Sequence, residues 1–208
     1  RHRALDTIAC RTGGTAFQRR VWTALRDIPA KHRVTLQPGA AVDVGAFTVE
    51  SAAIPHDARE PLAIALTVAS SGARVGIAHD LGAVPAALER LFARCDALCL
   101  EANHDATMLR EGPYPHALQE RIRGGRGHLN NDEAAALALR LAHPGLRALS
   151  LLHLSEQNNA PELAARAVNA ALGKARLRVT AHPAAGRTPD ALCALDTASI
   201  GAQLAFSL

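Results

Sequence analysis

The sequence predicts a mixed α/β domain in which helices cover a sheet. Three observations carry that expectation. Short β-branched and apolar segments separated by turn residues occupy residues 33–79. Apolar strands alternating with helical patterns occupy residues 84–181. No linker and no internal repeat divides them, so the 208 residues read as a single domain over positions 1–208 with a substantial core.

Arg33 to Leu36 and Phe47 to Ile54 read as strands around a Gln37-Pro38-Gly39 turn. Pro61 to Ala69 and Arg74 to His79 form a hairpin across Ser70-Ser71-Gly72. Val84, Ala87, Leu88, Leu91 and Phe92 then recur at helical spacing, and Asp96 to Glu101 is a buried strand ending in a carboxylate. Asp132 to His143 reads as a helix with Asn130 or Asn131 as its N-cap and Pro144-Gly145 as its close. Leu146 to Leu152 is an apolar strand, and Pro161 to Leu172 a helix with Pro in its first turn and Gly173 as its stop. Arg176 to Ala181 is the last clear strand.

Composition excludes several classes. Hydrophobic residues make up 49% and charged residues 20%, which is globular rather than disordered. No apolar run reaches the roughly 18 residues of a membrane-spanning helix, and the N-terminus lacks a signal-peptide core, so a cytoplasmic protein is expected and no membrane partner. Cys10, Cys95, Cys99 and Cys193 form no CxxC pair or framework, against structural zinc and a disulfide scaffold. The net charge of +4 rests almost wholly on arginine, since Lys31 and Lys174 are the only lysines. Arginine forks suit phosphate, so a polyanionic substrate is permitted, although a general Arg and Ala bias of the sequence is the favoured reading of the charge.

The polar residues that stand out fall at strand ends. His56-Asp57 follows one strand, His79-Asp80 a second, Glu101-Ala-Asn103-His104-Asp105 a third, and His153 a fourth; His128 lies in a glycine-rich turn before a helix. Rigid strands ending in open loops are where sites are built, and imidazole with carboxylate suits zinc, manganese or iron. Taken singly each is weak. A lone strand-end His is more often a hydrogen-bonded structural residue, Asp80 has a capping role open to it, and Glu101 an arginine partner. The argument lies in four strand ends sharing one ligand chemistry.

The stretches IPHDAREP, AHDLG, LCLEANHDATMLREGPYP, RIRGGRGHLNN and LLHLSEQNNAPELA resemble signature segments of the YycJ/WalJ-type branch of the metallo-β-lactamase superfamily, over residues 33–172. The resemblance implies an αββα sandwich and two divalent metal ions, zinc or manganese. It implies His56 as the histidine ligand between the two halves of the site, Asp80 as a catalytic carboxylate bridging both metals, and His153 as the last histidine ligand. His128 would sit beside the scissile phosphate and stabilise or protonate the leaving oxygen. Glu101, Asn103, His104 and Asp105 would line the site and orient the ligands. The implied reaction is two-metal phosphodiester hydrolysis, with DNA favoured over RNA and 5′-to-3′ polarity, because members of this branch resemble DNA exonucleases.

One departure matters. The superfamily's HxHxDH segment, which supplies three or four ligands, has no counterpart here; Arg1-His2-Arg3-Ala-Leu-Asp6 has the wrong spacing. The expectation is a sandwich lacking its N-terminal strands, and a chain that by itself is inactive or nearly so. The lack of an initiator Met favours a piece of an intact enzyme over a natural truncation. Two alternatives stand beside the DNA nuclease: the same fold acting on RNA, a cyclic nucleotide or a thioester, and an inactive domain serving as a binding module.

Overall fold

The computed structural model describes residues 36–175 and 179–183. Among the described residues seven strands form one sheet in sequence order. β1 (Ala41–Val44), β2 (Phe47–Ala53), β3 (Leu62–Val68) and β4 (Arg74–Ala78) pair antiparallel as a meander. β5 (Ala97–Glu101), β6 (Ala148–Leu152) and β7 (Ala181–Pro183) continue from β4 in parallel. Parallel neighbours require crossovers. These are supplied by α1 (Ala86–Phe92) between β4 and β5, by α2 (Ala106–Glu111), α3 (His116–Arg123) and α4 (Asn131–Leu141) between β5 and β6, and by α5 (Pro161–Lys174) between β6 and β7. The mixed α/β class is as the sequence predicts. Among the described residues no helix is long and apolar enough to cross a membrane.

One face of the sheet carries the core. Ala63, Ala65, Ala78, Leu98, Leu100, Leu149 and Leu151 pack with Leu88 and Phe92 of α1, Leu137 and Ala138 of α4, and Val168 and Leu172 of α5 in one cluster. The strand residues are small toward the meander and large toward β6. Gly76 makes room for Phe92, because a Cβ there would lie 2.8 Å from its ring. On the other face Ile64, Leu66, Val75, Ile77 and Cys99 are half-buried.

Differences from the expected elements have local causes. Arg33 to Thr35 of the first expected strand lies outside the described residues, and Leu36 is not in a strand. The hairpin instead begins with β1, an edge strand too exposed to show alternation, joined to β2 through Gly45 at φ 60°. The last strand is Ala181–Pro183 rather than Arg176 to Ala181, of which 176–178 lie outside the described residues. α2 and α3 are short and separated by Gly112-Pro113-Tyr114-Pro115, which masks their periodicity. α4 begins one residue early because Asn130 forms a capping box with Glu133.

Gly82 lets two loops meet, and Gly127 lets its own loop fold back on the end of α3. A Cβ on Gly82 would lie 2.5 Å from the Arg126 Cα, and one on Gly127 2.1 Å from the Ile122 carbonyl oxygen. The loop after β4 therefore packs backbone-to-backbone on the loop between α3 and α4. Gly127→Ala is expected to lower the unfolding free energy by about 1–3 kcal/mol. Gly173→Ala, on an exposed stretch of α5 with open space around it, is expected to raise it by up to about 1 kcal/mol. Equilibrium urea unfolding checks both, and a Gly127→Ala protein as stable as the parent would contradict the close approach.

Candidate metal centre

β2 runs opposite to β3, and β3 opposite to β4, so β2 points the same way as β4, β5 and β6. Their C-terminal ends share one edge of the sheet. His56 follows β2, Asp80 follows β4, Glu101 closes β5, and His153 is the first residue after β6. His128 arrives on the loop before α4. Carboxyl ends of parallel strands open onto the crevice where ligands bind in such sheets.

Glu101 is the centre of this edge. Its side chain is fully buried and accepts five hydrogen bonds. Oε1 takes the Asp80 N–H (3.1 Å), His128 Nδ1 (2.9 Å) and His153 Nδ1 (2.6 Å); Oε2 takes the N–H groups of Leu81 (2.9 Å) and Leu129 (3.2 Å). Burial alone would raise the carboxyl; the bonds from His128, His153 and the Leu81 N–H outweigh it and hold it down at about 2. The same contact, working against burial, raises His153 above the ordinary histidine value. An ionised carboxylate only accepts, so both rings turn Nδ1–H toward Glu101 and leave Nε2 for the cavity.

Asp80 and His153 hold left-handed backbone, with φ of 55° and 57°, which costs about 1–3 kcal/mol per residue and persists only where neighbours enforce it. The Asp80 turn is enforced by the paired N–H bonds to Glu101. The His153 carbonyl accepts from Asn103 Nδ2 (2.9 Å), while the Ser155 N–H returns to the Asn103 carbonyl (2.8 Å). Behind them Asn159 donates to the Ala102 and Asn103 carbonyls and exchanges reciprocal amide bonds of 2.9 Å with Asn131.

The Asp80 carboxylate faces four rings: its Oδ2 is 3.0 Å from the exposed His79 Nδ1, and its Oδ1 is 3.4 Å from His153 Nδ1, 3.8 Å from His56 Nε2 and 3.9 Å from His128 Nδ1. The His56–His128 and His128–His153 ring centroids are each 5.0 Å apart. His56 differs from the other two because the Ala58 N–H donates to its Nδ1 (2.9 Å), which leaves the proton of a neutral ring on Nε2. Holding a cation through Nε2 requires that contact to open.

The donor set suits a divalent cation. Asp80, Glu101, His128 and His153 each offer one ligand atom, all within 4.8 Å of one another. Imidazole–carboxylate pairs like those on Glu101 are the usual support of metal-bound histidine. With five donors already on its two oxygens, Glu101 is placed to support the His128 and His153 rings more than to bind an ion itself.

Of the residues singled out from sequence, His56, Asp80, Asn103, His128 and His153 line a cavity of about 470 Å³, and Glu101 lies beneath three of them. His104 and Asp105 are not brought to it. His104 is 1% exposed and pushed down to about 4 by burial, so it is neutral at physiological pH. Asp105 caps α2, accepting from the Thr107 and Met108 N–H groups. The cavity also takes Asp57, Tyr114, Leu118, Arg121 and Ile122, which sequence reasoning gave no role. The signal available was the spacing of Tyr114, Leu118 and Ile122 at every fourth position.

A mixed sheet with a histidine–carboxylate cluster at its strand ends is the arrangement of a metallo-β-lactamase-fold hydrolase. The chain belongs to the beta-lactamase superfamily domain family, whose model matches residues 3–154. It is 30% identical over 157 residues to the exodeoxyribonuclease YycJ of Bacillus anthracis, covering 74% of this chain and 59% of that protein. It is 28% identical over 151 residues to the exodeoxyribonuclease WalJ of Streptococcus pneumoniae D39, covering 70% and 55%. The chain thus spans a little over half the length of these relatives. The metallo-β-lactamase fold protein YhfI from Bacillus subtilis superposes with a TM-score of 0.53 at 18% identity, over 73% of this chain and 52% of that one, a likeness of fold.

The sign of the pH dependence follows from the pair. Glu101 is depressed on folding, so its contribution is complete above the ordinary value of 4.5 and is lost as pH falls toward about 2. His153 is raised, so its contribution is complete below 6.5 and is lost as pH rises through its folded value. In metal-free protein, Glu101→Gln is expected to cost about 1–3 kcal/mol, flatten the acid limb and return His153 toward 6.5. NMR titration of the ring checks this, and an unshifted His153 would refute the coupling.

Proposed function

We propose that this chain carries the catalytic edge of a two-metal phosphodiester hydrolase whose substrate is DNA, digested from the 5′ end in the intact cytoplasmic protein. The observation that carries the reading is the pair of Glu101-anchored histidines facing Asp80 in an open cavity. The exodeoxyribonuclease relatives support DNA as the substrate.

In this reading His56, Asp80 and His153 would hold two divalent ions, zinc or manganese. Bound ions supply a water of lowered pKa and neutralise charge on the phosphate oxygens. The remaining work falls to the chain. Glu101 fixes the His128 and His153 rings, and Asn103 fixes the His153 backbone. His128 points Nε2 at the phosphate and gives a proton to the oxygen that leaves as water attacks phosphorus and the P–O bond breaks. An assay of DNA, RNA, cyclic nucleotides and thioesters with the intact protein separates the substrate readings. A binding module would take up no metal and turn over none of them.

His128→Ala is expected to cut kcat about 10²–10⁴-fold, the usual range for a lost general acid, with metal content by elemental analysis unchanged. Loss of metal would make His128 a ligand instead. Asp80→Asn and His153→Ala are expected to lower metal content itself, and full retention would remove them from the ligand set.

A further inference from the structure

α3 is an amphipathic helix turned away from the core. Its single buried residue is Gln119, which donates Nε2 to the Tyr114 carbonyl at 2.9 Å and to the Arg110 carbonyl at 3.5 Å. Leu118 and Ile122, with Tyr114 four residues ahead of them, are instead half-buried and line the cavity of the histidine cluster. Leu118 and Ile122, four positions apart, share one face of α3, and Tyr114, on the segment just before the helix, lines the same cavity beside them, completing a strip.

The strip is tied to the cluster by backbone. The His128 N–H donates to the Ile122 carbonyl at 2.9 Å, and the Gly127 N–H to the Gly124 carbonyl at 2.7 Å. At one margin Arg121 is held by Asp57, with Nε 2.6 Å and Nη2 2.5 Å from Oδ2. That leaves Nη1 without a carboxylate partner among the described residues. A phosphodiester group offers nothing to an aromatic and aliphatic surface, whereas a nucleobase offers a flat face. Stacking on aromatic side chains tolerates any base, and a cavity of about 470 Å³ is of the size that takes one small ligand. Within a duplex both faces of a base are covered by its neighbours, so such a strip reads a base that has left the stack.

We infer that Tyr114, Leu118 and Ile122 form a shelf that takes one unstacked nucleobase of a single-stranded or frayed end, while Arg121 takes a phosphate beside it. The inference rests on the phosphodiesterase reading and names the form of nucleic acid that site accepts. The shelf selects single strand over closed duplex and is indifferent to sequence. Arg121, presented by Asp57, contributes affinity for the backbone.

The test is binding in EDTA, without turnover, by fluorescence anisotropy. The probes are a labelled oligothymidylate, the same strand with abasic residues at its end, and a blunt duplex. The base-bearing strand is expected to bind roughly 5- to 150-fold more tightly than the abasic one, and more tightly than the duplex. Tyr114→Ala is expected to abolish the difference between base-bearing and abasic strands, with Tyr114→Phe keeping it. Arg121→Gln weakens both strands alike and lowers the salt dependence. Equal binding of base-bearing and abasic strands, equal binding of the blunt duplex, or no binding of any probe overturns the shelf. The hydrolase reading is judged separately by turnover with metal. Base-dependent binding without hydrolysis of any phosphodiester sinks that reading and leaves the shelf, and hydrolysis without base dependence does the reverse.

Discussion

A buried carboxylate must find donors for its lone pairs or remain protonated, and the fold around this cluster is arranged to satisfy the one at Glu101. Its two oxygens gather N–H groups from the turn after β4 and the start of α4, and ring nitrogens from the loops before α4 and after β6. Donors as far as 52 residues from Glu101 in sequence are thereby fixed to one point. Two imidazoles receive a defined tautomer and orientation from the same atom, so their cavity-facing nitrogens are positioned before any ligand arrives.

The cost of that arrangement is carried by backbone. Left-handed conformations at Asp80 and His153 place side chains where an ordinary strand extension would point them elsewhere, and each is enforced by bonds to buried groups. The Asn131–Asn159 amide pair anchors the segment from Ala102 to Asn103, which in turn anchors His153. Gly82 lets the loop after β4 touch the backbone at Arg126, and Gly127 lets the loop before α4 fold back on the end of α3; together they bring the His128 loop within reach of Asp80. Polar side chains of the quoted motifs thus divide into those that face the cavity and those that hold the first group still.

Electrostatics grade outward from this centre. Beneath the rings lies a carboxylate held ionised; at the cavity surface lie imidazoles and Asp80; at the rim Asp57 is depressed chiefly by its bond to Arg121, and Arg126 reaches the His56 carbonyl at 3.3 Å. The wall formed by α3 is apolar. The histidine–carboxylate cluster thus lies beside an apolar wall and a guanidinium.

Periodicity and strand-end chemistry determined much of this from sequence alone. β2 through β6 and α1, α4 and α5 are legible because each alternates, or recurs on one face, against a common core. The convergence of His56, Asp80, Glu101 and His153 is legible because all four follow or end apolar strands. Only the tertiary structure decided that His104 and Asp105 turn away, one buried as a neutral ring and the other spent on capping α2, since adjacent residues after β5 look alike on paper. It alone decided that Glu101 lies under the histidines rather than beside them, because the donors that bury it come from three separate loops. It alone placed the apolar strip of α3 against the cavity. A sequence states that Leu118 and Ile122 share a helix face; what that face meets, and that Tyr114 joins it at the cavity, depends on contacts such as the Gln119 bond to the Tyr114 carbonyl, which exist only once the chain has folded.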